Sequence, residues 1–409
     1  MGCVAVDNLA QGMILEENVY DVNTRLLLSK GQKLADNHIR ILKIWGIPEV
    51  RVVGSEPTPN VVNEIFDKEK TRDVKEAIQR IFKNADFCDS TLKVICKVAM
   101  VHRLNGEFAS PPRSTAQKQR QEKTAMPVKI GRLADDVENK LPETPAIITE
   151  LNQVIDDPMA TSNDVARVVN MSPSLAATLL KIVNSAYYGF PSKIDRISRA
   201  VTIIGTKEIS SLALGISVMH AFSDIPKHMV DMQAFIRHSL ACGIIGRILA
   251  AGNNLPQTEQ MFVAGLLHDI GKLIVFSYYP EHATACFQMA EDSDTSVFRC
   301  ENKVMGVNHA QLAKRLLGKW KLPVTLADNI ICHHAPDRAL NPEKAGIVHL
   351  ADIIAHGLGI GYSGERSIPH FDYAIMAKVV GSHHRIQAIV RQAVHQLHPL
   401  EAIFQSQVS

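Results

Sequence analysis

The stretch of sequence that decides the fold is MFVAGLLHDIGKLIVF, residues 261–276. A helix of this composition is apolar on nearly every side, and such a helix is buried in the core of a large domain. His268 and Asp269 lie in its middle, and Lys272 follows about one helical turn later. Burial of an imidazole and a carboxylate is costly unless they are paired or bind a metal ion. The stretch therefore predicts a core helix that carries a polar site.

The chain around this stretch has a helical pattern from about residue 128 onwards. Prolines and glycines divide it into segments of helical length, and no segment alternates convincingly between polar and apolar residues. One helix is predicted over 207–222, where Ile209, Leu212, Ile216 and Met219 share an apolar face. The pattern predicts a mainly α protein built around a large helical domain.

The N-terminal part has short apolar runs and turns that indicate strands, predicted at 13–15, 25–28 and 50–53. A short amphipathic helix is predicted over Asp36–Trp45, and the polar, proline-bearing stretch after residue 106 is predicted to be a tether. The predicted organisation is a small α+β N-terminal module (1–57), connecting helices (58–105), a flexible linker (106–127), an all-helical domain (128–375) and a C-terminal helical tail (376–409).

Composition restricts the class of protein. Hydrophobic residues make up 46% of the chain, which suffices for a packed core, and the net charge of +2 gives no general attraction to nucleic acid. The seven cysteines form no Cys-x-x-Cys pair, so a reducing, cytoplasmic location is expected rather than a disulfide framework. The most apolar stretches are interrupted by His220 or by His268 and Asp269, so no membrane-spanning helix is expected.

A series of short motifs between residues 141 and 205 resembles the HDOD family, the HD-related output domains. The motifs are Leu141-Pro142-Glu143-Thr144-Pro145, Asp157-Pro158, Ser172-Pro173-Ser174-Leu175, Asn184-Ser185-Ala186-Tyr187-Tyr188-Gly189 and Ala200-Val201-Thr202-Ile203-Ile204-Gly205. Taken alone, the Asp-Pro and Ser-Pro pairs are predicted helix starts and the tyrosine motif a structural helix end. The resemblance implies an all-helical, HD-like HDOD domain, and the N-terminal unit resembles the β-rich modules that precede HD-type output domains.

The resemblance also implies a metal site that binds one or two divalent ions. His238, His268, Asp269 and Asp352 match the four positions of the basic HD metal site, and His309 with His333 or His334 matches the extra ligands of binuclear members. Imidazole and carboxylate donors together suit iron, manganese or zinc. A network of stacked or helix-capping histidines is the alternative.

Catalytic roles are assigned to Lys272 and Asp269 by the same resemblance, since the matching lysine of catalytic HD-GYP enzymes lies near the scissile phosphate. An ammonium there could stabilise a phosphoryl oxygen, whereas a solvent-facing helix charge is the alternative. After His333-His334 the chain reads Ala335-Pro336-Asp337-Arg338, so the Gly-Tyr-Pro loop of the cyclic-dinucleotide enzymes is missing.

The leading hypothesis is therefore a signalling output or regulatory module that acts through protein partners and is not an enzyme. A metal-dependent phosphohydrolase acting on a nucleotide or another phosphoester is the alternative, with a nucleotide as the candidate ligand. Nucleic-acid binding is not expected, because no basic stripe with interleaved aromatic residues occurs.

Overall fold

A computed structural model of the chain is mainly helical, as predicted. It describes residues 3–408 except 7–8, 21–25, 45–46, 48, 54–67, 84, 86–88, 108–132, 134–136, 186, 191, 223–224, 226–228, 371 and 381–384. The predicted linker at 106–127 lies almost entirely outside these described residues.

Among its described residues, the N-terminal unit has four short strands and one helix with a small core of their own, and it does not show the β-rich module that the resemblance implied. β1 (Cys3–Ala5) pairs antiparallel with β4 (Glu49–Arg51), and β2 (Val19–Tyr20) pairs antiparallel with β3 (Leu26–Leu28). The predicted helix is confirmed as α1 (Asp36–Ile44), while Trp45 lies outside the described residues. The predicted strand at 13–15 contributes only isolated bridges, from Ile14 to Lys33 and from Leu15 to Val52.

The remaining elements are helices that share one large apolar core. In chain order they are α2 (Lys68–Ile81), α3 (Ser90–Leu104), α4 (Val137–Lys140), α5 (Ala146–Asp156), α6 (Ser162–Asn170), α7 (Pro173–Val183), α8 (Ile197–Ile204), α9 (Thr206–His220), α10 (Met232–Gly252), α11 (Thr258–Leu267), α12 (Ile270–Tyr278), α13 (Pro280–Asp292), α14 (Val297–Val304), α15 (His309–Lys319), α16 (Val324–Ile331), a 3₁₀ turn (Pro336–Arg338), α17 (Pro342–Leu358), α18 (Tyr373–Val380) and α19 (Arg385–Val408). Helices α2 and α3 pack against α17, and α19 packs along α10.

Helix boundaries follow local capping in the first half of the helical domain. Ser172 caps α7 by accepting a hydrogen bond from Leu175 N, and Pro173 is its first residue, as predicted. The predicted start at Asp157-Pro158 is wrong. Asp157 ends α5 and accepts a hydrogen bond from Met159 N, and the next helix begins only at Ser162 after a capping box. A turn residue and a helix cap use the same side-chain chemistry, which explains the error.

The tyrosine motif at 184–189 joins the first half of the domain to the central helices. Tyr187 donates a hydrogen bond to the buried Glu259 carboxylate (3.1 Å), which also accepts one from Arg247 Nε (2.8 Å). The guanidinium of Arg247 lies over the Tyr187 ring, 4.4 Å from its centroid. Gly189 has a left-handed φ of +63°, but it does not end the helix as predicted, because α7 already ends at Val183 with Asn184 as its C-cap. The motif therefore anchors α7 to α10 and α11, a structural role.

Helices α10 and α11 cross at very short range because glycines face each other there. A Cβ on Gly265 would lie 2.5 Å from Cys242 O, and one on Gly243 would lie 2.7 Å from Phe262 O. Only glycine allows such an approach of two backbones. This crossing brings the middle of α10 against the end of α11, where the HD dipeptide lies.

Two apolar stretches, Met232–Gly252 and Thr258–Tyr278, have the length and composition of membrane spans. Of their apolar windows, 78% and 89% are buried inside the protein. Such burial is the pattern of core helices.

Candidate metal centre

The predicted core helix over 261–276 is observed as two helices, because the helix is interrupted at His268-Asp269. α11 ends at Leu267 and α12 begins at Ile270, with His268 and Asp269 between them. In an unbroken helix neighbouring side chains would project about 100° apart. In the broken helix His268 Nε2 lies 3.3 Å from Asp269 Oδ2, so both side chains face one centre.

Asp269 lies between several imidazoles. Its Oδ1 is 3.4 Å from His309 Nε2 and 3.9 Å from His333 Nε2. His309 is the first residue of α15, and His333 follows the end of α16. Three separate helical elements therefore direct side chains to one carboxylate.

Asp352 on α17 forms the other half of the centre. Its Oδ1 is 3.2 Å from His238 Nε2 on α10 and 3.6 Å from His268 Nε2. His268 is thus common to both halves. His356, one turn beyond Asp352, holds the same Oδ1 through Nδ1 at 2.7 Å.

His334 is the least buried member of the predicted set. Its Nε2 lies 3.1 Å from His309 Nε2, and its ring contacts Phe298 at 4.2 Å between centroids. The structure therefore brings together all seven predicted ligands, including both members of the His333-His334 pair. The other six are at most 2% exposed.

The tautomers of the buried histidines are fixed from outside the centre. A Nδ1 that faces an acceptor must carry the proton, which leaves Nε2 available as a metal ligand. The acceptors are Gly265 O for His268 (2.8 Å), Ile330 O for His333 (2.6 Å), Ile360 O for His238 (3.3 Å) and Glu301 Oε2 for His309 (2.7 Å).

These residues fit a metal ion. Nε2 of His268 and Nε2 of His333 are buried and contact carboxylates at 3.3–3.9 Å without forming a hydrogen bond, a geometry that a shared metal ion would satisfy. Two nitrogen or oxygen atoms that bind one ion at about 2.1 Å lie about 3.0–3.4 Å apart. Most of the distances within the cluster fall in or near this range. Stacked rings also occur, with His333 and His334 centroids 4.0 Å apart, but stacking alone does not account for these two nitrogens.

The electrostatics show what balances the carboxylates in the metal-free protein. Burial opposes the charged form of His268, yet Asp269 and Asp352 overcome this and raise its pKa to about 10. Burial instead lowers the pKa of His238 to about 4 and that of His333 to about 3, helped by neighbouring histidines. At neutral pH the His268 imidazole is therefore protonated, whereas those of His238 and His333 are neutral.

Metal binding near pH 7.5 is expected to release at least one proton, because His268 must give up its Nε2 proton to become a ligand. Since the pKa of His268 is raised, the metal-free protein loses stability as the pH rises from 6.5 towards 10, and affinity for metal increases over the same window. Calorimetric titration of zinc in buffers of different ionisation enthalpy measures the proton count. No proton release would contradict this charge assignment.

Lys272 is buried rather than solvent-facing, so the predicted alternative of a surface charge is wrong. Its Nζ donates to Asp269 Oδ2 at 2.8 Å and to Ser363 Oγ at 3.3 Å, and the side chain is 4% exposed. Burial disfavours its charge, but Asp269 keeps its pKa above the ordinary value. The ammonium therefore neutralises a candidate ligand.

Residues 360–367, here called the covering segment, lie over the centre. Gly361, with a φ of +67°, approaches so closely that a Cβ would lie 2.3 Å from Ala234 O, and Tyr362 N donates to the same oxygen. Ser363 holds Lys272, and Glu365 accepts hydrogen bonds from Val297 N and Phe298 N. The Gly361-Tyr362 pair thus belongs to a packed cover.

Three residues of the centre were not predicted. Cys242 and His356 each follow a predicted ligand by four residues, a helical spacing that could have identified them. Glu301 has no such signal. Its Oε2 accepts hydrogen bonds from both N and Nδ1 of His309, and it comes from α14 through tertiary packing alone.

The helical domain thus carries a buried His/Asp cluster where two core helices meet. The HDOD domain family model matches residues 141–336, just under half of the chain, so this part of the chain is an HDOD domain.

Relatives of the chain are distant. It is 22% identical over 337 residues to an uncharacterized protein of Treponema pallidum, a match that covers 78% of this chain but only 64% of the relative. A Shewanella amazonensis protein with a provisional phosphohydrolase name is 22% identical, with a TM-score of 0.52 over 66% of this chain and 98% of its own. A Marinobacter aquaeolei protein with a provisional signal-transduction name is 21% identical, with a TM-score of 0.51 over 71% of this chain and 66% of its own. These likenesses concern the fold.

Proposed function

We propose that the chain is a cytoplasmic signal-transduction output module that acts by binding protein partners, with an HD-type centre for one or two ions of iron, manganese or zinc. The observation that carries this proposal is the closure of the centre. Its ligands are buried beneath the covering segment, and Lys272 is already ion-paired with Asp269.

A metal bound by the seven His and Asp residues would supply positive charge and Lewis acidity. The chain's own residues then determine what that charge can do. Nδ1 bonds orient the imidazoles, and Glu301 fixes the angle of His309. Asp269 and Ser363 accept hydrogen bonds from the Lys272 ammonium, so its charge is already paired. A centre of this kind stabilises one arrangement of the helices.

Phosphoester hydrolysis is the second candidate, and the completeness of the donor set favours it. In-line attack also needs a pocket that positions the substrate, and positioning contributes about 7–11 kcal/mol of barrier lowering. The Gly-Tyr-Pro loop that holds cyclic dinucleotides is missing from the sequence after His334. The described residues provide the ligands but cover them.

The test is a turnover assay with metal-loaded, full-length protein. Cyclic di-GMP and a panel of nucleotides and phosphomonoesters are incubated with the protein loaded with iron, manganese or zinc. We expect no turnover above the rate of the Asp269→Ala variant, which lacks a central ligand. Metal-dependent hydrolysis of any substrate, abolished by Asp269→Ala, would establish the phosphohydrolase instead.

A further inference from the structure

Cys242 lies inside the candidate metal centre although it is not among the ligands that the HD resemblance implies. It is fully buried on α10, one turn after His238, and its Sγ is 3.5 Å from His238 Nε2. The thiol sulfur and one donor atom each from His238, His268 and Asp352 all lie within 4.8 Å of one another. Four donors of three chemical types therefore surround one point.

The spacing of these donors matches a four-coordinate ion. With a metal–sulfur bond of about 2.3 Å and a metal–nitrogen bond of about 2.1 Å, a sulfur and a nitrogen on one tetrahedral ion lie about 3.6 Å apart. The Cys242–His238 distance is 3.5 Å, and the two imidazole–Asp352 distances are 3.2 and 3.6 Å. The fully buried Nε2 of His268 faces the same point; it makes ion-pair contacts with carboxylates but forms no hydrogen bond, which independently indicates a ligand there.

The other half of the centre has a different chemistry. Its donors among the described residues are the His309, His333 and His334 imidazoles and the Asp269 carboxylate, with no thiol. Thiolate favours zinc and other thiophilic ions, whereas imidazole accepts a wider range of first-row metals. The two halves therefore differ in metal preference.

We propose that Cys242 is a thiolate ligand which, with His238, His268 and Asp352, forms a four-donor compartment selective for zinc or another thiophilic ion over manganese and magnesium. This assignment rests on the proposed metal centre. It adds a ligand that the family pattern does not supply and specifies which class of ion the first compartment takes.

The test uses cobalt(II) as a spectroscopic replacement for zinc in the full-length, metal-free protein. Cobalt bound to thiolate gives an intense near-ultraviolet charge-transfer absorption that imidazole and carboxylate ligands do not give. We expect this absorption in the wild type and its loss in Cys242→Ser, with cobalt retained by the imidazole group. The matched control is Cys286→Ser, a buried cysteine on α13 outside the three candidate ligand groups found among the described residues, which should keep the absorption.

Zinc competition gives a second measurement. Cys242→Ser should lower the zinc affinity of the four-donor compartment by at least about 10- to 100-fold. Removal of a residue that only supports a ligand already costs this much, and Cys242 is proposed to be a ligand itself. Cobalt that binds to the wild type without thiolate absorption would overturn the Cys242 assignment and leave the metal centre standing. A wild type that binds no cobalt would overturn both. The wild-type spectrum decides even if Cys242→Ser fails to fold.

Discussion

Asp269→Ala is expected to lose most of its bound metal and, when metal-free, to be less stable than the wild type by about 3–5 kcal/mol. The metal should be lost because of where the Asp269 carboxylate lies in the centre. The Asp269 oxygens lie 3.3–3.9 Å from His268, His309 and His333, so this carboxylate joins one half of the centre to His268, the residue that both halves share. Plasma mass spectrometry of protein purified without chelator measures the metal content.

The loss of stability has a separate cause in Lys272. In the variant its ammonium remains buried with only the Ser363 hydroxyl as a hydrogen-bond partner among those given by the structure. A buried charge without its counter-ion costs far more than an exposed one, because desolvation is no longer offset. Urea unfolding in the presence of chelator measures the change in unfolding free energy.

Two further variants separate these effects. Asp269→Ala combined with Lys272→Met removes both charges, so it should recover most of the stability while remaining without metal. Asp195→Ala removes a surface carboxylate that is 66% exposed and paired with Arg196, and it should change neither quantity appreciably. If Asp269→Ala kept both its metal and its stability, the role described for the Asp269 carboxylate would be wrong.

The sequence predicted the helical fold well because helical periodicity is a local property. Breakers and apolar faces located α1 and α9, and the Ser172-Pro173 pair located the start of α7. The failures came where tertiary packing overrides local pattern. Residues 261–276 favour one continuous helix, yet the helix is interrupted at His268-Asp269. Both side chains face one centre there.

The centre was predictable only as far as the order of its ligands along the chain. The resemblance nominated the histidines and aspartates, and the structure brings them together. The sequence could not reveal that Lys272 is ion-paired with Asp269 and buried. Ser363 and the covering segment, which complete its surroundings, lie about ninety residues further along the chain. Nor could it find Glu301, whose contact with His309 depends on how α14 meets α15.

The second large effect concerns Gly271, which lies between the HD dipeptide and Lys272. The backbone of His309 passes directly over it, so that a Cβ on Gly271 would lie 1.8 Å from His309 O and 2.6 Å from His309 C. No side-chain rotation can relieve this contact, because both partners are backbone atoms. The absence of a side chain at 271 therefore determines how closely α12 approaches the start of α15.

Gly271→Ala should consequently move the start of α15 away from α12 and carry His309 out of reach of Asp269. Overpacking typically costs about 1–3 kcal/mol, and a clash with rigid backbone should lie at or above the upper end. Less metal should bind, because His309 belongs to the imidazole group. The matched control is Gly318→Ala on α15, the helix that begins at His309. No neighbouring atom among the described residues lies within 4 Å of its added methyl, so this variant should stabilise the protein by about 0.5–1 kcal/mol. Urea unfolding and metal analysis of both variants give the comparison. Equal stability and equal metal content would mean that the close approach of α12 and α15 does not hold His309 in the centre.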